Sequence, residues 1–263
     1  MSEKKADLSH NKKTGKAGIR VSPWVWITAL AVALAAALAA ALLLWWGLNN
    51  TQGPDESGQN RDPKPQHTVS FDQVEKVSVN LGYGLFITDV GKYTGIYMED
   101  GTNETVSGVL MIVVTNNGQE AIQYAKINLP VNDETAVFTL STLPAGQSVV
   151  LLEQSRMQWS AGENYTGATL ENLAVFSQPL SLCEDQLKLQ ILDGAVNVTN
   201  ISGKDIAGDI VIYYKNSAAD LYYGGITYRV RIEGGLKAGE IRQIMASHFS
   251  DTGSKIMFVT IGQ

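Results

Sequence analysis

Val114-Thr115-Asn116 recurs in this chain as Val198-Thr199-Asn200, and in both places an isoleucine follows six positions after the asparagine, Ile122 and Ile206. A glycine, Gly118 or Gly203, falls in each intervening turn, one position out of step between the copies. Further on, Leu143-Pro144-Ala145-Gly146 matches Leu236-Lys237-Ala238-Gly239, followed by residues 147–154 and 240–247. Self-similarity of this kind marks a repeated supersecondary unit. From the isoleucine to the closing glycine is 24 residues in the first copy and 33 in the second. The nine extra residues fall within 216–225.

Around these motifs the chain runs in short apolar segments broken by turn pairs, Asp100-Gly101, Asn117-Gly118, Asp193-Gly194 and Gly234-Gly235. Ile226, Tyr228, Val230 and Ile232 alternate with Thr227, Arg229 and Arg231, the period of a strand with one buried face. The unbroken apolar run 109–114 suits a strand covered on both sides. Residues 168–176 could form either a short helix or a strand. The expectation is a mainly β protein: two tandem immunoglobulin-like β-sandwiches after one N-terminal transmembrane α-helix. The modules are placed at 68–178 and 185–263, with a joint at 179–184.

The layout of an Asn-bearing turn, a strand ending in aromatics (here Tyr213-Tyr214-Lys215) and a Leu-x-Ala-Gly turn resembles the FxLYD-type β-sandwich modules of single-pass Gram-positive cell-envelope proteins. The naming motif itself is absent. The resemblance spans residues 109–154 and 194–247. It implies a non-enzymatic surface module and transfers no functional residue.

Residues 24–46 form a stretch of 23 without a charge, and about 20 suffice to cross a bilayer. Tryptophans flank it at both ends, Trp24 and Trp26, then Trp45 and Trp46, as indoles favour the two headgroup layers. Six basic residues against two acidic ones give residues 1–20 a charge of +4, which keeps that flank in the cytoplasm. The division is therefore a disordered basic tail at 1–20, a signal-anchor helix at 21–48 touching membrane lipid, and a flexible linker at 49–67. The remainder lies outside the cell. Ala29, Ala33, Ala37 and Ala41 fall in one row of the helix, and small residues four apart let membrane helices approach closely, which permits a homodimer. With Cys183 the only cysteine, no internal disulfide can form, as suits a bacterial rather than a eukaryotic exterior.

Charge and composition bear on function. The chain carries −6, and the positive tail leaves the rest at −10, unsuited to nucleic acid. Of three histidines only His248 stands inside a module. The segment 247–251 holds Ser, His and Asp, but triad members must converge from separate elements. One histidine and one cysteine fall short of a zinc set. The acids around Glu99-Asp100-Gly101 and Asn132-Asp133-Glu134 lack a calcium-loop spacing and read as solvated loop tips. No catalytic residue, cofactor or metal is assigned, and the chain is expected not to be an enzyme. The aromatic insertion offers a partner-binding surface: Tyr213, Tyr214, Tyr222 and Tyr223 around Gly224-Gly225, suited to a protein or glycan. The expected role is a membrane-anchored extracellular binding, adaptor or structural protein. The alternative is an accessory or sensory subunit acting through the membrane helix.

Overall fold

The two asparagines singled out by the repeat are fully buried polar side chains, and a buried amide must find partners for its donors and its acceptor. A computed structural model of the chain describes residues 70–262 except Ala219, and it shows both asparagines solving that problem in the same way. Asn116 Nδ2 donates to Glu120 O at 2.8 Å and to Leu143 O at 3.1 Å, while its Oδ1 accepts from Gly118 N at 3.0 Å. Asn200 Nδ2 donates to Lys204 O at 2.7 Å and to Leu236 O at 3.0 Å, and its Oδ1 accepts from Ser202 N at 3.0 Å. The backbone repeats as well: Gly146 N donates to Asn116 O, and Gly239 N to Asn200 O. Each asparagine therefore folds its own turn as an Asx motif and ties that turn to the Leu-x-Ala-Gly turn. Those are the places where the chain crosses between sheets.

The first repeat contains β1 (Ser70–Gly82), β2 (Leu85–Ile96), β3 (Thr105–Asn116), β4 (Ile122–Val131), β5 (Glu134–Leu143), β6 (Ser148–Leu152) and β7 (Thr169–Val175). The second contains β8 (Leu187–Leu192), β9 (Ala195–Asn200), β10 (Ile210–Ala218), β11 (Leu221–Ile232), β12 (Ile241–Met245) and β13 (Ser254–Ile261). The protein is mainly β, and residues 168–176 fall to the strand β7.

Pairing order repeats too. In the first copy β2-β3-β6 form one side and β5-β4-β7 the other; in the second these are β8-β9-β12 and β11-β10-β13. The two copies are joined through one sheet of seven strands, ordered β1-β2-β3-β6-β11-β10-β13. The join is a short parallel pairing of β6 with β11, Ser148 to Leu221, Val149 to Tyr222 and Val150 to Tyr223. Contacts gather the described residues into one compact unit.

Alternation sorts the cores. Leu110, Ile112, Val149, Leu151 and Tyr222 of the long sheet meet Ile127, Leu129 and Phe138 of the sheet β5-β4-β7. Ile210, Ile212 and Tyr214 meet Val196 and Val198 of the sheet β8-β9-β12. Tyr213 packs into the first core and its neighbour Tyr214 into the second, so the two small sheets cover opposite faces of the long one. Across from the first core, Tyr93, Met111, Val150 and Leu152 form a third cluster. This explains why 109–114 is apolar without alternation: both of its faces are covered. The joint also has a task. Ser181 O accepts from Val259 N at 2.8 Å, so residues 176–183 cover the free edge of β13.

Among the described residues no helix is long and apolar enough to cross a membrane; the stretch 24–46 and the alanine row lie outside the described residues. Replacing Asn116 or Asn200 by Ala would remove the side-chain hydrogen bonds that tie each turn to the Leu-x-Ala-Gly turn. Each substitution is expected to lower stability by about 3 kcal/mol, read from urea denaturation. A loss below about 1 kcal/mol would show that the paired clamps are incidental.

Candidate functional site

The hairpin β10–β11 spans 210–232, much as β4–β5 spans 122–143, so most of the extra residues lie at its base, in 206–209 and 233–236, rather than within 216–225. The end of the hairpin reaches the first repeat. Gly224 and Gly225 serve as a close approach between segments of the chain rather than as a turn. A Cβ at Gly225 would lie 1.9 Å from Thr139 O, and one at Gly224 would lie 3.0 Å from Met98 O.

Two charged side chains hold this contact. Glu99 is half-buried as a residue, but its carboxyl end is enclosed, with Oε1 accepting from Leu152 N at 2.9 Å and Oε2 from Gly225 N at 2.7 Å. Lys215 is wholly buried, and its Nζ donates to Gly224 O at 3.0 Å, Gly225 O at 3.1 Å and Ile226 O at 2.8 Å. Loss of water pushes the Glu99 carboxyl up, against the pull of those two amides and of Lys215. It pushes the Lys215 ammonium down, with Glu99 opposing. Neither residue is singled out by the sequence. Glu99 resembles a loop-tip acid, although Lys215, a charge continuing the apolar run of β10, is a legible anomaly.

Beside this seam opens a half-open cleft of about 970 Å³. The first repeat contributes Ile96, Met98 and Asn103, and the second contributes Tyr223, the Asp193-Gly194 turn and the connection 245–253. Two backbone bonds tie that turn to the connection, Gly194 N to Phe249 O at 3.2 Å and Ala246 N to Gly194 O at 2.9 Å. Tyr214 OH donates to Ser247 O, and the His248 ring lies on Tyr228 at 4.9 Å between centroids. Arg156 closes the far rim of the β2–β3 connection. It pairs with Asp100 at 3.1 Å and Glu104 at 2.7 Å, over the Tyr97 ring at 4.6 Å.

The four tyrosines of the sequence analysis are dispersed. Tyr222 lies in the first core and Tyr214 in the second, both shut from solvent. Tyr213 stacks on Phe258 at 4.2 Å, and Tyr223, against Phe71 at 6.3 Å, borders the cleft. Their surface is therefore internal, except where Tyr223 meets the cleft. Within 247–251, Ser250 Oγ accepts from Gly253 N at 2.8 Å, a turn contact, and His248 is held flat by its stack. Cys183 is half-buried, its Sγ 3.7 Å from Val259 O. The acids around Glu99 are engaged in amides and in Arg156. Among the described residues no group of three His, Cys, Asp or Glu side chains is placed to hold a metal ion.

No family model matches the chain, and neither the curated proteins nor the solved structures gave a significant match.

Tyr93 and Tyr97 are buried in the third cluster, and Tyr228 stacks on His248 of the cleft wall. Burial, reinforced by the Glu99 charge, pushes their phenols from the ordinary 10.0 up to about 12. Below pH 10 both folded and unfolded chains keep these protons, and stability is intact. Between about 10 and 12 the unfolded chain ionises first, so stability is lost as pH rises through that window. Circular dichroism melts are expected to show the melting temperature falling steeply there. A flat profile across it would contradict the burial of these rings.

Proposed function

We propose that this chain is a membrane-anchored extracellular binding or adaptor protein of the bacterial cell envelope, with its N-terminus cytoplasmic and its C-terminal region outside. It works through surface contact rather than bond chemistry. The body consists of two tandem immunoglobulin-like β-sandwiches carried on a single transmembrane helix at 21–48. The repeated pairing orders, three strands facing three, support the sandwich reading. The uncharged stretch 24–46 with its basic flank supports the anchor.

The observation that carries the binding role is the cleft at the seam of the two repeats. It is recessed, lined by apolar and polar side chains of both repeats, and it lies beside the pairing of β6 with β11. Recesses of that kind at the boundary between two packed units are where ligands and partner segments dock. A protein or glycan partner outside the cell is the expected occupant of the wider surface.

The row Ala29, Ala33, Ala37 and Ala41 favours a second reading, an accessory or sensory subunit coupled to a membrane complex, or to a second copy, through its helix. One experiment separates the two. Full-length protein with a C-terminal tag is cross-linked on intact cells, in parallel with a version carrying an unrelated membrane helix and with Asp251→Lys at the cleft rim. Binding through the body predicts a tag digestible from outside and a defined partner kept by the helix swap and lost with Asp251→Lys. A partner lost with the swap and kept by Asp251→Lys establishes the second reading. A tag protected from external protease overturns the topology.

A further inference from the structure

We propose that Tyr83 is a partner-binding residue, a rigid aromatic knob that enters an apolar pocket on another protein. The inference rests on the binding role just proposed and assigns it a contact on the wider surface. β2 has Ile96 of the cleft wall at one end and Leu85, two positions from Tyr83, at the other. At the rise of an extended strand, knob and cleft lie roughly 35 Å apart.

The backbone comes first. Gly82 pairs with Leu85, and Tyr83-Gly84 between them form a two-residue turn with φ of 53° and 80°. Turns with positive φ at both positions favour Asn-Gly, because a bulky side chain is strained in the left-handed region. The chain itself follows that preference in the β4–β5 turn, where Asn132 takes the corresponding position with a φ of 53°. A tyrosine at 83 works against its own turn.

Nor does the ring stabilise the fold. Tyr83 is 78% exposed, the most open large apolar side chain among the described residues. Among those residues its ring and hydroxyl have no hydrogen-bond or ring partner. Yet the tip is held firmly. Asn80 Oδ1 accepts from Gly82 N at 2.8 Å, Gly84 O accepts from Asn117 N at 2.8 Å, and a Cβ on Gly84 would lie 2.5 Å from Gly118 N. A strained, solvent-facing aromatic on a braced support is preorganised for contact. Tyrosine also offers a broad apolar face with few rotatable bonds to order. A single projecting ring calls for a concave apolar pocket in the partner, the setting in which aromatic anchors contribute most.

Full-length protein carrying p-benzoylphenylalanine in place of Tyr83 is irradiated on intact cells, with the same photoreactive residue in place of the exposed Asp133 as control. A protein adduct specific to position 83 is expected. The captured protein is then purified and titrated with the unmodified chain and with Tyr83→Asn. Tyr83→Asn should bind about tenfold more weakly or worse while melting roughly 2–4 °C higher, as the strain in the turn is released. Equal binding by Tyr83→Asn, or a lower melting temperature, overturns the proposal. So does an adduct with cell-wall glycan in place of a protein. A partner captured in an Asp251-dependent way but never through position 83 overturns the knob and leaves the binding role standing. Capture of no partner by either route removes both.

Discussion

The peptide of Gly225 is the point on which the two repeats close. Its N–H is taken by the Glu99 carboxylate at 2.7 Å, and its carbonyl accepts from Lys215 Nζ at 3.1 Å and from Ser141 Oγ at 2.7 Å. Its bare Cα lets the backbone of β5 pass where a Cβ would lie 1.9 Å from Thr139 O. One residue thus brings together the β2–β3 connection, β5, β10 and β11. Two charges taken from water are costly unless the surrounding groups replace their hydration. Here two amides and three carbonyls do so. Removing one partner would leave the other charged and enclosed, so the arrangement is stable only as a set.

Much of the molecule follows from that contact. With the hairpin end held there, β11 runs beside β6 for three residues, and two sheets that would otherwise have free edges become one of seven strands. Neighbouring residues then point to opposite cores, Tyr213 to the first and Tyr214 to the second. The small sheets fall on opposite faces, and the space between the β2–β3 connection and the 245–253 connection becomes the cleft. The candidate site is therefore a by-product of how the repeats are joined, and it belongs to neither repeat alone.

What could be read from the sequence was local. The repeated asparagines announce themselves because an Asx turn uses residues two to four positions apart, and Asn116 and Asn200 make those bonds to Gly118 and Glu120, and to Ser202 and Lys204. Strand period and turn pairs likewise fixed the mainly β class. The join was hidden because its partners are far apart in the chain. Glu99 meets Gly225, 126 positions away, and no short-range pattern marks such a pair. The tyrosines misled for a related reason. An aromatic cluster reads as a binding surface when its strands are unknown, whereas Tyr222 fills the first core and Tyr214 the second. The cleft was illegible on the same grounds, since its walls come from five segments between Ile96 and Gly253.

Native-state hydrogen exchange on the full-length chain tests the central claim, that the two repeats form one cooperative body through this seam. The amides of Val149 and Val150 in β6, Tyr222 and Tyr223 in β11, and Val196 and Val198 in β9 are predicted to exchange with one common free energy, that of global unfolding. Exchange of the β10–β11 amides at a clearly lower free energy than those of β6 would contradict it. The repeats would then be two independent units that merely touch.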